Sequence, residues 1–250
     1  MARGCCLRAA ALPVQAERSS VGNMRKNTFL LFIIFGSTAL LPASVFAQGP
    51  AAPTSAPLRE VRKQTIVSKE LPAAELTFGR SFRYVGGQRV NLYGNAEAEQ
   101  HLFVKSGDSG VLAAFYWVQF ERFFPTNALT YDYKADRTTQ IGDLQFIYDA
   151  KSWPDYAAMQ SEDPASDGAA IARLLGDHNL AFPKKAARVR MFHLPSADRR
   201  TELMIIYGEA LPEGSKIPVG TKGSELDTDS PESARQILER ARRDLSIRTR

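Results

Sequence analysis

The stretch from Glu99 to Phe124 constrains this chain more than any other. His101-Leu-Phe-Val-Lys105 is followed by Ser-Gly-Asp-Ser-Gly110 and then by an apolar run from Val111 to Phe124, which together read as one long β-hairpin. Aromatic and β-branched residues favour strands, and Gly107, Asp108 and Gly110 suit the positive backbone angles of a tight reversal. The second strand is apolar on both parities: Leu112, Tyr116, Val118 and Phe120 on one side, Val111, Phe115 and Trp117 on the other. Such a strand must be covered on both faces, so it is expected mid-sheet beneath helices or folded loops.

Around the hairpin the chain spells further strands. Phe78, Phe82 and Tyr84 alternate with polar and small residues, and Gly86-Gly87 is expected as a two-residue turn into Val90–Tyr93. Leu129, Tyr131 and Tyr133 alternate on another strand, Ala135-Asp-Arg137 turns it, and Thr138 to Ala150 returns. The period then changes to helical, first from Ser152 to Met159 and then behind an Asp167 cap, with Ile171, Leu174, Leu175 and His178 on one face. A second hairpin is expected from Arg188–Leu194 and Thr201–Tyr207. A long surface loop over 211–229 then leads to a last helix with Ser230 and Pro231 at its start and Leu245 in its apolar stripe. The class expected is α+β: a single antiparallel, meander-type sheet of about eight strands, with the C-terminal helix and the 153–178 helices packed on one face. A partly closed β-barrel with a C-terminal helix is the alternative, in which a concave aromatic lining would form a pocket.

The N-terminus carries a different signal. Arg25-Lys26 precedes an uncharged apolar run from Phe29 to Leu41, Pro42 breaks it, and Val45-Phe-Ala47 places small residues before Gln48. This resembles a secretory signal peptide cut after Ala47, and the run is shorter than the about 20 residues of a spanning helix. Residues 1–47 are therefore read as a leader, with Met24 a plausible start. Gln48–Gln64, rich in Ala, Pro and Ser, is read as a flexible tether, and 65–250 as one domain. The expected location is exported, periplasmic or secreted, with anchoring by an uncleaved N-terminal helix as the alternative. Contact with the membrane is otherwise transient, through the signal peptide.

The net charge of +5 belongs mostly to the leader, since beyond residue 47 there remain 27 basic and 26 acidic residues. A nucleic-acid partner is not expected. Cys5 and Cys6 are the only cysteines, so the mature chain has no disulfide, thiol nucleophile or thiolate metal site.

Candidate chemistry is sparse. Glu97, Glu99 and His101 would share a face of one strand, a set suited to a divalent metal or to general base work. Alternating charge on a solvated edge strand gives the same pattern. Ser106-Gly-Asp-Ser-Gly110 is superficially like the GDSG of trypsin-like proteases but falls in a turn, with no suitable His and Asp segments before it, and no GxSxG, HExxH or P-loop occurs. No cofactor or metal is expected. The aromatic strands offer more: Tyr116, Trp117, Phe120 and Tyr131 could line a pocket beside Arg122, which shares parity with Phe120. The function expected is a non-enzymatic envelope binding module for a small amphipathic molecule or an envelope protein. The alternative is a cofactor-free or metal-assisted hydrolase using His101 with Glu97 or Glu99.

Overall fold

The computed structural model describes residues 53–133, 137–215 and 230–250. The leader and most of the 211–229 loop lie outside the described residues. The strands are β1 (Pro53–Ser55), β2 (Glu60–Arg62), β3 (Thr65–Ser68), β4 (Ala74–Phe78), β5 (Arg83–Leu92), β6 (Ala96–Ser106), β7 (Leu112–Phe123), β8 (Thr138–Ile141) and β9 (Leu144–Trp153). Two helices follow, α1 (Tyr156–Ser161) and α2 (Asp167–Asp177), then β10 (Ala186–His193), β11 (Thr201–Ala210), α3 (Pro231–Arg243) and β12 (Leu245–Thr249).

The β6–β7 hairpin forms as its sequence requires, pairing from Ala96↔Phe123 to Ser106↔Leu112. It lies inside the larger sheet, whose order is β1-β5-β6-β7-β11-β10-β9-β8. All these pairings are antiparallel; seven main strands carry the three-residue β1 at one edge. The expectation of a single sheet is corrected by a second one, β12-β4-β3-β2, and neither sheet closes into a barrel. β12 was hidden because Leu245 continues the apolar stripe of α3, yet the helix stops at Arg243 and Leu245 pairs with Phe78.

Both faces of β7 are covered. On one, Tyr116, Val118 and Phe120 pack with Ile66, Leu76 and Phe78 of the small sheet and with Ile237 and Leu238 of α3. On the other, Phe115 and Trp117 pack with Tyr156 of α1 and Ile171 and Leu175 of α2. The helices therefore lie on opposite faces, not on one. Leu112 joins Phe115 and Trp117 against its simple parity, because a bulge at Ala113 separates the pairs Lys105↔Ala114 and Ser106↔Leu112. An extra residue flips every side chain beyond it to the other face.

Other local readings also change. Gly86-Gly87 is no turn but the interior of β5, where a Cβ on Gly87 would lie 2.7 Å from the Gln100 carbonyl oxygen and 2.9 Å from His101 Nδ1. The chain reverses instead at Tyr93 and Gly94, both with positive φ. In the β6–β7 turn, Ser109 and Gly110 take the positive angles while Gly107 has φ −88°. Thr138–Ala150 is a hairpin around Gly142, and the 129–133 stretch is irregular rather than a strand. Ser166 rather than Asp167 caps α2. The expected tether is part of the fold from Pro53 onward, since β1 pairs with β5 and β2 with β3.

Candidate functional site

Two polar networks lie against the large sheet, one on each face. The first contains Glu99 and His101, on an interior strand and buried, which overturns the solvated-edge alternative. His101 Nε2 meets Glu99 Oε1 at 2.9 Å and its Nδ1 meets the Tyr84 hydroxyl at 3.1 Å. Arg59 closes the other side: its backbone N–H donates to Glu99 Oε1 at 2.8 Å, Nη1 to Oε2 at 2.9 Å and Nε to Ser68 Oγ at 2.9 Å. The guanidinium also lies 3.6 Å above the Phe120 ring. Burial works to raise the Glu99 carboxyl, but the bonds from His101 and the Arg59 backbone, with the Arg59 charge, hold it down at about 2. Glu97 turns away to Arg89, 3.2 Å distant. His101 is 0% exposed, with its two ring nitrogens facing the Tyr84 hydroxyl and the Glu99 carboxylate, so its ring lies away from solvent.

The second network lies on the face covered by α1 and α2. Glu121 of β7 and Glu202 of β11 are direct cross-strand partners. The Tyr131 hydroxyl donates to Glu121 Oε1 at 2.7 Å and the Tyr133 hydroxyl to Glu202 Oε2. Gln119 Nε2 donates to Glu121 Oε2 at 2.6 Å and reaches Asp167 Oδ2 at 3.5 Å. A relay of buried amides continues from Gln119 through Gln100 to Gln88 and the Ala170 carbonyl. Beside it Phe123, Tyr131, Tyr133 and Phe192 form a ladder of stacked rings, with centroids 4.5, 6.1 and 4.2 Å apart in turn.

The electrostatics of this cluster are the reverse of those around Glu99. Burial, with the charge of Asp167, pushes the Glu121 carboxyl up to about 7 despite the bonds from Tyr131 and Gln119. Burial and the neighbouring Glu121 charge push Glu202 up to about 8. Burial raises Asp167 as well. Arg190 faces the group, but its guanidinium is held by Asp149, with Nη2 at 2.5 Å from Oδ2. Glu202 is 2% exposed, whereas Glu121 and Asp167 each keep an edge in solvent.

The expected aromatic site is divided between these faces. Tyr116 is sealed in the core between the sheets, its hydroxyl donating to the Ala241 carbonyl at 2.5 Å, and Phe120 lies beneath Arg59. Trp117 and Tyr131 belong to the helix-covered face. Arg122 is exposed rather than buried, because it lies near the end of β7 and points away from Glu121. Alternation along a strand makes one pocket from Tyr116 and Trp117 impossible, since adjacent residues face opposite ways.

The sequence reading leaves Glu121 and Glu202 unmentioned, and takes Asp167 only as a helix cap and Tyr133 only as an aromatic strand residue. A signal was present: Gln119 and Glu121 share the parity of Phe115 and Trp117, so polar residues had to lie on a covered face. The register that sets Glu121 against Glu202 links residues too distant in the chain for any local pattern to show. No family model, curated protein or solved structure matches this chain.

Proposed function

We propose that this chain is an exported envelope protein that binds a small amphipathic molecule on the helix-covered face of its large sheet. The observation that carries this reading is the Glu121–Glu202 pair. Ionising both carboxyls would set like charges directly opposite each other on neighbouring strands, and burial adds to that cost, so the pair holds on to protons into the neutral range. The one nearby cation with a formed bond, Arg190, is committed to Asp149. A ligand bringing a protonated amine would stabilise the ionised form of the pair, and the ladder from Phe123 to Phe192 offers its apolar body a flat aromatic surface. Export rests on the leader sequence. An envelope protein could occupy the same face, and that outcome is separated by mass.

The test is native mass spectrometry of the protein purified from the envelope fraction, beside a denatured control. A small adduct is expected on the wild-type protein, lost on denaturation and lost in Glu202→Gln. A bare wild-type protein, an adduct of protein mass, or a small adduct retained in full by Glu202→Gln would overturn the reading. The denatured mass is expected to begin at Gln48.

A further inference from the structure

A second feature of the helix-covered face lies further along β10 and calls for the opposite charge. Arg188 is 8% exposed, yet no carboxylate lies within ion-pair distance of it among the described residues, and its Nε–H is buried without a hydrogen-bond partner. The two nearest acids are spent: Asp149 holds Arg190, and Asp167 accepts from the Gly168 N–H and from Gln119. Burial and the adjacent Arg190 charge both press on the Arg188 guanidinium.

The surroundings share this deficit of acceptors. The Trp153 Nε1–H is also buried and unbonded, and the buried Tyr156 hydroxyl has only the neighbouring Arg188 guanidinium to interact with; the guanidinium carbon lies 5.5 Å from the Trp153 ring and 6.0 Å from the Tyr156 ring. Lys151, the register partner of Arg188, sets its ammonium 4.6 Å from the same Trp153 ring. Buried donors in folded proteins are nearly always satisfied, and a buried cation is paired. A water molecule could accept from two of these groups but would leave the charge uncompensated. A carboxylate carries about four acceptor positions and a negative charge, and its planar geometry matches a guanidinium fork.

We infer that Arg188, Tyr156, Trp153 and Lys151 form a subsite for the carboxylate of a small organic acid. It goes beyond the reading of the Glu121–Glu202 pair and stands on different residues. Acetate is the probe. At neutral pH and fixed ionic strength, replacing sodium chloride by sodium acetate is expected to raise the thermal unfolding midpoint of the wild-type protein in a saturable way. Arg188→Met should abolish that rise while leaving the protein at least as stable in chloride, because an unpaired buried charge has been replaced by an apolar chain. Tyr156→Phe, which removes only the hydroxyl, should reduce the rise and guards against a failure of Arg188→Met to fold. Glu202→Gln should keep the full rise, so the two sites fail or succeed separately. Equal wild-type midpoints in acetate and chloride, or an undiminished acetate rise in both Arg188→Met and Tyr156→Phe, would overturn the inference.

Discussion

At the scale of single residues, the two faces treat carboxyl groups in opposite ways. Glu99 receives three formed bonds from Arg59 and His101 and is kept ionised. Arg59 in turn has Glu99, Ser68, the Glu70 carbonyl and the Phe120 ring as partners. Removing one partner leaves the other charge buried, so Arg59→Ala is expected to cost about 3 kcal/mol, read from urea denaturation. A loss within a few tenths of a kcal/mol would mean that the segment before β2 contributes little to the fold. The Glu97, Glu99 and His101 pattern was visible in the sequence, but its partner Arg59 was not, because that residue lies in a stretch whose Ala, Pro and Ser content suggested a tether. Composition reports how much apolar surface a segment can bury; it says nothing of one arginine inserted beneath a neighbouring strand.

Elements are legible in the sequence where one physical rule dominates. The β6–β7 and β10–β11 hairpins and the three helices follow from side-chain periodicity and capping residues. Local patterns mislead where a second rule intervenes. The bulge at Ala113 reverses parity for Leu112, close approach of β6 requires glycine at position 87 where a turn was expected, and Leu245 continues a helical stripe while belonging to β12. Gly208 shows the same close packing within β11, since a Cβ there would lie 2.2 Å from Phe115 Cζ. Phe115 is fully buried with its ring tilted against those of Tyr156 and Phe182, so it has little room to retreat. Gly208→Ala is therefore expected to destabilise the fold by about 1–3 kcal/mol in chemical denaturation. An unchanged midpoint would show that the helix-covered face yields more easily than its packing implies.

At the scale of the whole molecule, the large sheet has a middle position, with the small sheet and α3 on one side and α1 and α2 on the other. The hairpin's double apolar parity made that double cover legible, but not which helix covers which face, since each helix offers only an apolar stripe and no address. The two carboxyl networks give the molecule opposite responses to pH. Glu99, held low, contributes stability that is present above the ordinary carboxyl range and is lost as pH falls toward 2. Glu121 and Glu202, held high, bind protons in the folded state that the unfolded chain has already released, so stability falls as pH rises from about 4.5 through their range near 7 and 8. The central claim is that this pair stands uncompensated in the free protein and is thereby suited to a ligand. It is tested most directly by the unfolding free energy of the ligand-free protein from pH 5 to pH 8.5, compared between wild type and Glu202→Gln. The wild type should lose stability steadily across that range, and the variant should lose markedly less. Parallel profiles for the two proteins, or a wild type that gains stability toward pH 8.5, would contradict the account.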